Sequence, residues 1–140
     1  MTVLLYLAPL LGAPQMDIAA LLGSLFGHGI PATMKVWWWV GMVWHFVNGT
    51  IIFSLIYANF VYGWLPGENW LRGMVWGLFL WIAMETTLMP MTGSGVFNEH
   101  ATRPDTWVLC GFLLNAVYGA VFGAIAGDQA EHTHQVTHPA

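Results

Sequence analysis

The chain has 140 residues, of which 57% are hydrophobic and 7% charged, and its net charge is −4. Soluble domains carry about 25% charged residues, so an ordinary solvated surface cannot be built from this composition and lipid must cover much of it. Lys35, Arg72 and Arg103 are the only lysines and arginines, which excludes the basic field needed for nucleic acid or for a polybasic lipid-binding patch. The single cysteine, Cys110, excludes an internal disulfide.

Four apolar blocks follow one another. The first, residues 1–11, is half the length of a crossing and is cut by Gly12-Ala13-Pro14. Lacking a positively charged start, it does not read as a cleaved signal peptide. Asp17 is placed to cap a short apolar helix over 17–26, too small to cross, which lies at the interface or re-enters before Gly27-His28-Gly29 and Pro31 break it. The second block, 35–62, is charge-free after Lys35, opens on Trp37-Trp38-Trp39 and ends near Tyr57 and Tyr62. Its length exceeds the ~20 residues a crossing needs, and aromatics mark both interfaces, so it spans the bilayer with a tilt or a projecting end. Residues 64–69 form a Pro-Gly linker in which Asn69 can cap the next helix. The third block runs over 70–89 and stops at Pro90; the fourth covers 106–126, and between them 98–105 is a polar aqueous loop. The expected fold is therefore an all-α integral membrane bundle of three full crossings, a short N-terminal apolar helix and an interfacial helix. Residues 1–128 make one domain, and 129–140 a flexible tail with His132, His134 and His138. The charge difference across the membrane is one, which leans towards a cytoplasmic Lys35/Arg103 side.

Lipid gives apolar helices no reason to associate, so small residues that admit close backbones must supply the contact. Gly111, Asn115, Gly119, Gly123 and Gly127 recur every four residues and share one face. Gly41, His45 and Gly49 repeat that spacing in the second block, and Gly73 and Gly77 in the third. These patterns predict a compact antiparallel bundle with the Asn115 face of the last crossing against the His45 face of the second.

Glu85 is the sharpest candidate for chemistry, because an ionisable group inside a crossing costs at least ~2.5 kcal/mol and is a functional hypothesis by default. The alternative is a carboxyl near the helix end that reaches headgroups, with Pro90 five residues on. His45 could ligate a haem iron or a chlorophyll-type pigment, with Gly41 one turn earlier leaving room for a flat ring. The competing reading makes His45 a polar contact to Glu85 or Asn115, and together with Asn48 these form an intramembrane polar cluster. Met84, Met89 and Met91 are read as ordinary apolar fillers, and no dedicated metal site is expected. There is no phosphate-binding loop, nucleophile elbow or zinc-protease motif, so an enzyme acting alone is not expected.

Several stretches carry a resemblance: Leu7-Ala8-Pro9-Leu10-Leu11-Gly12 into Met16-Asp17-Ile18-Ala19, His45-Phe46 with Gly49 and Ile56-Tyr57-Ala58, Leu65-Pro66-Gly67 with Trp70-Leu71-Arg72-Gly73, Met89-Pro90-Met91, and Val117-Tyr118-Gly119. In this order they resemble an uncharacterised family of small bacterial membrane proteins with a domain of unknown function. The resemblance covers nearly the whole chain and implies a four-helix membrane domain with no established activity. Members usually carry more residues ahead of the position of Met1, which would complete the first crossing. They also often place a histidine where Asn115 stands, so a mechanism needing paired histidines does not transfer.

The favoured expectation is a non-catalytic accessory subunit in the bacterial inner membrane, packed against other integral membrane subunits of an electron-transfer or energy-converting complex. Nine Trp and eight Phe in so small a chain motivate it. A pigment- or cofactor-binding protein using His45, and a proton or ion conduit through Glu85, His45 and Asn115, are the alternatives.

Overall fold

The computed structural model of the chain describes residues 7–11, 17–27 and 35–137, and of 128–137 the backbone alone. Among the described residues the fold has four α-helices: α1 (Ile18–Gly27), α2 (Lys35–Val61), α3 (Asn69–Met91) and α4 (Pro104–Thr137). No strand occurs among the described residues. Helices α2 and α3 and the Pro104–Gly127 part of α4 are each long and apolar enough to cross a membrane. The 27 residues of α2 measure about 40 Å at 1.5 Å per residue, more than the ~30 Å hydrocarbon core, which calls for tilt or projection. Of the expected N-terminal helix only a 3₁₀ turn, Ala8–Leu11, falls within the described residues. The breaks at 12–16 and 28–34 and the side chains of the tail histidines lie outside them.

The backbone of α4 is helical to Thr137; no proline follows Pro104 until Pro139, and Gly127 is the last glycine. At the start of α3 the cap position belongs to Glu68, in extended conformation without a side-chain capping bond. Asn69 instead accepts the Tyr62 hydroxyl through Oδ1 at 2.9 Å. Asp17 does cap α1, accepting Ala20 N–H at 2.9 Å, and its carboxylate also takes the Trp38 indole N–H at 3.0 Å.

Three turns of the membrane helices widen to π geometry: Asn48–Ile52, Tyr57–Val61 and Met84–Leu88. Each contains side chains that donate to the carbonyl four residues earlier: Asn48 to Trp44, Thr50 to Phe46, Asn59 to Leu55, Thr86 to Ile82 and Thr87 to Ala83. A widened turn displaces backbone bonds from the i−4 pattern, and in hydrocarbon the freed carbonyls need another donor. These short polar side chains provide it and are themselves satisfied, so they need no partner helix. Pro90, which has no N–H and crowds the preceding turn, stands two residues past the end of the third π turn.

The helices associate as two close pairs, α1 on α2 and α3 on α4. In the first, a Cβ at Gly41 would overlap the Ala19 carbonyl and come within 2.6 Å of Gly23 N. In the second, Gly73 and Gly77 of α3 face Gly119, Gly123 and the Asn115 carbonyl of α4, again at distances no Cβ could enter. The Asn115 face of the last crossing therefore packs on α3, not on the His45 face of α2. Every crossing carries glycines at helical spacing, and spacing alone does not select among them. Gly49 also differs from its expected packing role. A Cβ there would meet nothing within 4 Å, and Gly49 contributes its carbonyl, which accepts the Tyr118 hydroxyl at 2.8 Å. That bond and the buried ring of Tyr57, 5.1 Å from Phe122 and 6.3 Å from Trp76, tie α2 to the α3–α4 pair.

Candidate functional site

Glu85 lies in the third π turn and is completely buried, at 0% exposure. Its partner comes from the segment between α3 and α4. There Gly93 (φ 84°), Gly95 (φ 77°), Phe97 (φ 51°) and Asn98 (φ 55°) take left-handed backbone conformations. The chain thereby doubles back, with Ser94 N–H on the Met89 carbonyl and His100 N–H on the Ser94 carbonyl, both at 3.0 Å. Asparagine tolerates this region, whereas phenylalanine rarely adopts it, at a cost of order 1 kcal/mol. The doubled-back loop seats two neighbours over one turn of α3: the Phe97 ring lies 5.8 Å from that of Trp81, and Asn98 Nδ2 donates to Glu85 Oε2 at 2.8 Å. Asn98 is itself 4% exposed, so this part of the expected aqueous loop is buried against the end of the helix.

The second carboxyl oxygen is placed differently. Glu85 Oε1 and Trp81 Nε1 are both buried, and the Trp81 indole N–H is the side-chain hydrogen-bonding neighbour of the Glu85 carboxyl on this side. Both border Gly111 of α4, where a Cβ would stand 3.2 Å from Nε1 and 3.4 Å from Oε1. Gly111 also lines a cavity of about 300 Å³, bounded by Asp17 and Leu21 of α1, Met84 and Met89 of α3, Asn98 of the loop and Asn115 of α4, among others. This cavity opens where the two helix pairs and the loop meet, at the Lys35 end of the domain. Among the described residues, no lysine, arginine or histidine belongs to its lining.

The other expected site residues find separate partners. Asn115 is buried and donates to its own helix, on the Gly111 carbonyl at 2.9 Å; Asn48 likewise donates to Trp44 at 3.0 Å. His45 is half-buried with its ring 5.8 Å from Phe46. The room that Gly41 was to leave for a flat cofactor is taken by the backbone of residues 19–23. Glu85 thus accepts from Asn98, while Asn48 and Asn115 donate to the Trp44 and Gly111 carbonyls in place of bonding one another. Reading the sequence misses Asn98 because a loop contact 13 residues away has no periodic signal. Its one local hint is an Asn three residues after a Gly-Ser-Gly run.

At the opposite end, Arg72 stacks its guanidinium 5.0 Å above the Tyr62 ring, and Glu68 accepts the Trp70 indole N–H at 2.7 Å. The domain therefore has a buried carboxyl towards one face and a stacked cation towards the other.

Comparison with curated proteins and with solved structures gives no match. Among families, the model of a family of unknown function, DUF6789, matches residues 1–137, and the chain belongs to that family.

Proposed function

We propose that the protein is a non-catalytic accessory subunit of a larger membrane complex, in a bacterial inner membrane, where α2 meets the neighbouring subunits. The observation that carries this reading is unequal packing. Only 11% of the best apolar window of α2 is buried within the chain, against 22% for each of α3 and α4. Trp39, Val43, Phe46, Leu55 and Phe60 all stand open along it. In lipid such a face is stable alone, but beyond its pairing with α1 helix α2 meets the α3–α4 pair at few points, and a neighbouring helix would hold it where lipid cannot. Large exposed rings supply contact area at little entropic cost, which suits an interface with a bulky electron-transfer or energy-converting partner.

The test is photo-crosslinking in native membranes from positions 43 and 55 on α2, with positions 117 and 121 on α4 as the comparison. A discrete protein adduct from α2 that co-purifies after gentle detergent extraction is the expected result. Lipid adducts alone from both helices, together with a monomer on a native gel, would overturn the proposal.

A further inference from the structure

We propose that the cavity at the turn between α2 and α3 binds the headgroup of a zwitterionic lipid, a phosphate ester that carries a primary ammonium group. Three features of the described residues point to that chemistry. The first is a pair of opposite charges that do not neutralise each other. Arg72 and Glu68 both line the cavity, of about 360 Å³, yet the one ion pair among the described residues joins His100 to Glu99. The second is how each charge is held. The Arg72 guanidinium stacks 5.0 Å above the Tyr62 ring, and the Tyr62 hydroxyl is fixed in turn on Asn69 Oδ1. Arg72 Nε is buried, which leaves the terminal nitrogens of this half-buried side chain to meet a ligand, and they offer phosphate two parallel donors. Glu68 is exposed and its Oε2 accepts the Trp70 indole N–H at 2.7 Å, so Oε1 is left for an ammonium N–H. The third is depth. The cavity lies between the end of α2 at Val61 and the start of α3 at Asn69, two helices of bilayer length, with Trp64 89% and Trp70 46% exposed. Tryptophans at the ends of crossings mark the headgroup layer, where a lipid phosphate already resides.

Charge selects the occupant. A free anion or an anionic headgroup would meet the Glu68 carboxylate, and a simple cation would meet the Arg72 guanidinium, whereas a molecule carrying both charges complements both. A choline headgroup fits only half of the site, because its quaternary nitrogen has no N–H to donate to Glu68, while a primary ammonium has three. Gly67, in the left-handed region at φ 105°, turns the chain here and adds no side chain to the lining. The acyl chains stay in the bilayer and need no pocket. Lying at the turn, the site is independent of the face of α2 on which the subunit reading rests.

The experiment is native mass spectrometry of the full chain in detergent, with phosphatidylethanolamine, phosphatidylglycerol and phosphatidylcholine of identical acyl chains added in equal amounts. The expected result is a retained phosphatidylethanolamine adduct about fivefold more abundant than either of the others, the scale of one exposed charge pair. Arg72→Gln should bring that adduct down to the phosphatidylcholine level. Glu68→Gln should abolish the preference over phosphatidylglycerol, and Arg103→Gln, a cation removed at the opposite end, should change nothing. Excess inorganic phosphate should leave the adduct in place. Equal retention of the three lipids, a preference for phosphatidylglycerol, or an undiminished adduct on a folded Arg72→Gln protein would overturn the proposal; displacement by inorganic phosphate would overturn it in favour of a free anion. If Arg72→Gln does not fold, the wild-type preference and its loss in Glu68→Gln decide.

Discussion

The contact between α3 and α4 has two halves that use the same residue type for opposite ends. Around Gly119 and Gly123 glycine brings backbone onto backbone, so that a Cβ at either position would overlap the carbonyl of Gly73 or Asn69. Around Gly111 the nearest neighbours are side-chain atoms of Trp81 and Glu85, at 3.2 to 3.4 Å. One half of the stripe closes the gap between helices, and the other keeps it open for an indole and a carboxyl. A small-xxx-small pattern is therefore a statement about available space, and whether backbone or side chain fills it depends on the facing helix. Opposite the closed half stand Gly73 and Gly77; opposite the open half stand Trp81 and Glu85, the same face of α3 one and two turns further on.

The closed half should be the more fragile. Gly73→Ala and Gly119→Ala each force the two backbones apart, so each should cost about 1–3 kcal/mol, as overpacking of a tight interior does. Thermal unfolding in detergent measures this, and melting points equal to wild type for both would show that the two helices are not held at backbone contact. In the open half the sensitive element is the loop. Asn98→Ala leaves Glu85 Oε2 buried without its donor, at a cost of about 1–3 kcal/mol. It should also raise hydrogen exchange across 93–100, because the loop loses its anchor to α3. Unaltered stability and exchange would mean that Glu85 is satisfied elsewhere.

Substitution at Glu85 itself separates shape from polarity. Glu85→Gln preserves length and an acceptor for Asn98, so assembly and melting should change little. Glu85→Leu deprives Asn98 of its acceptor and should cost about 1 kcal/mol, near the upper part of measured interhelical bonds. A Gln variant as unstable as the Leu variant would show that the charge, not the hydrogen bond, holds the loop down.

The three crossings were legible because an apolar run of bilayer length has few other solutions, and the observed spans differ from the expected ones by two residues or fewer at each end. The Asp17 cap was legible for a local reason, since its acceptor and the N–H it satisfies are three residues apart. Helix pairing was not. Gly41, Gly73 and Gly119 carry the same local signal, and what sorts Gly41 to α1 and Gly73 to α4 is the shape of the partner, which spacing does not encode. The π turns left a trace in the clustering of Asn48 with Thr50 and of Thr86 and Thr87 ahead of Pro90. Read as possible glue between helices, Asn48 in fact supports its own backbone. Asn98 lay beyond sequence reasoning, because its burial depends on a loop that turns back through four left-handed residues.

The smallest expected effects test the comparison most finely. At Gly111 an added methyl meets Trp81 and Glu85 at 3.2 to 3.4 Å, a few tenths of an ångström too close. Because a helical Gly→Ala change otherwise gains about 0.5–1 kcal/mol, the two terms should nearly cancel and leave the melting point unmoved. At Gly49 nothing stands within 4 Å of the new methyl, and the carbonyl that accepts Tyr118 belongs to the backbone and is kept. Gly49→Ala should therefore stabilise the purified protein slightly, by under about 1 kcal/mol, whereas Gly77→Ala should destabilise it. The same substitution carries a second reading in the native membrane. If a neighbouring subunit covers α2 at Gly49, the methyl that is harmless in the isolated chain will weaken co-purification of that partner. Loss of stability in the purified protein would instead mean that part of this chain packs against Gly49, and that α2 is less open than its exposed rings indicate.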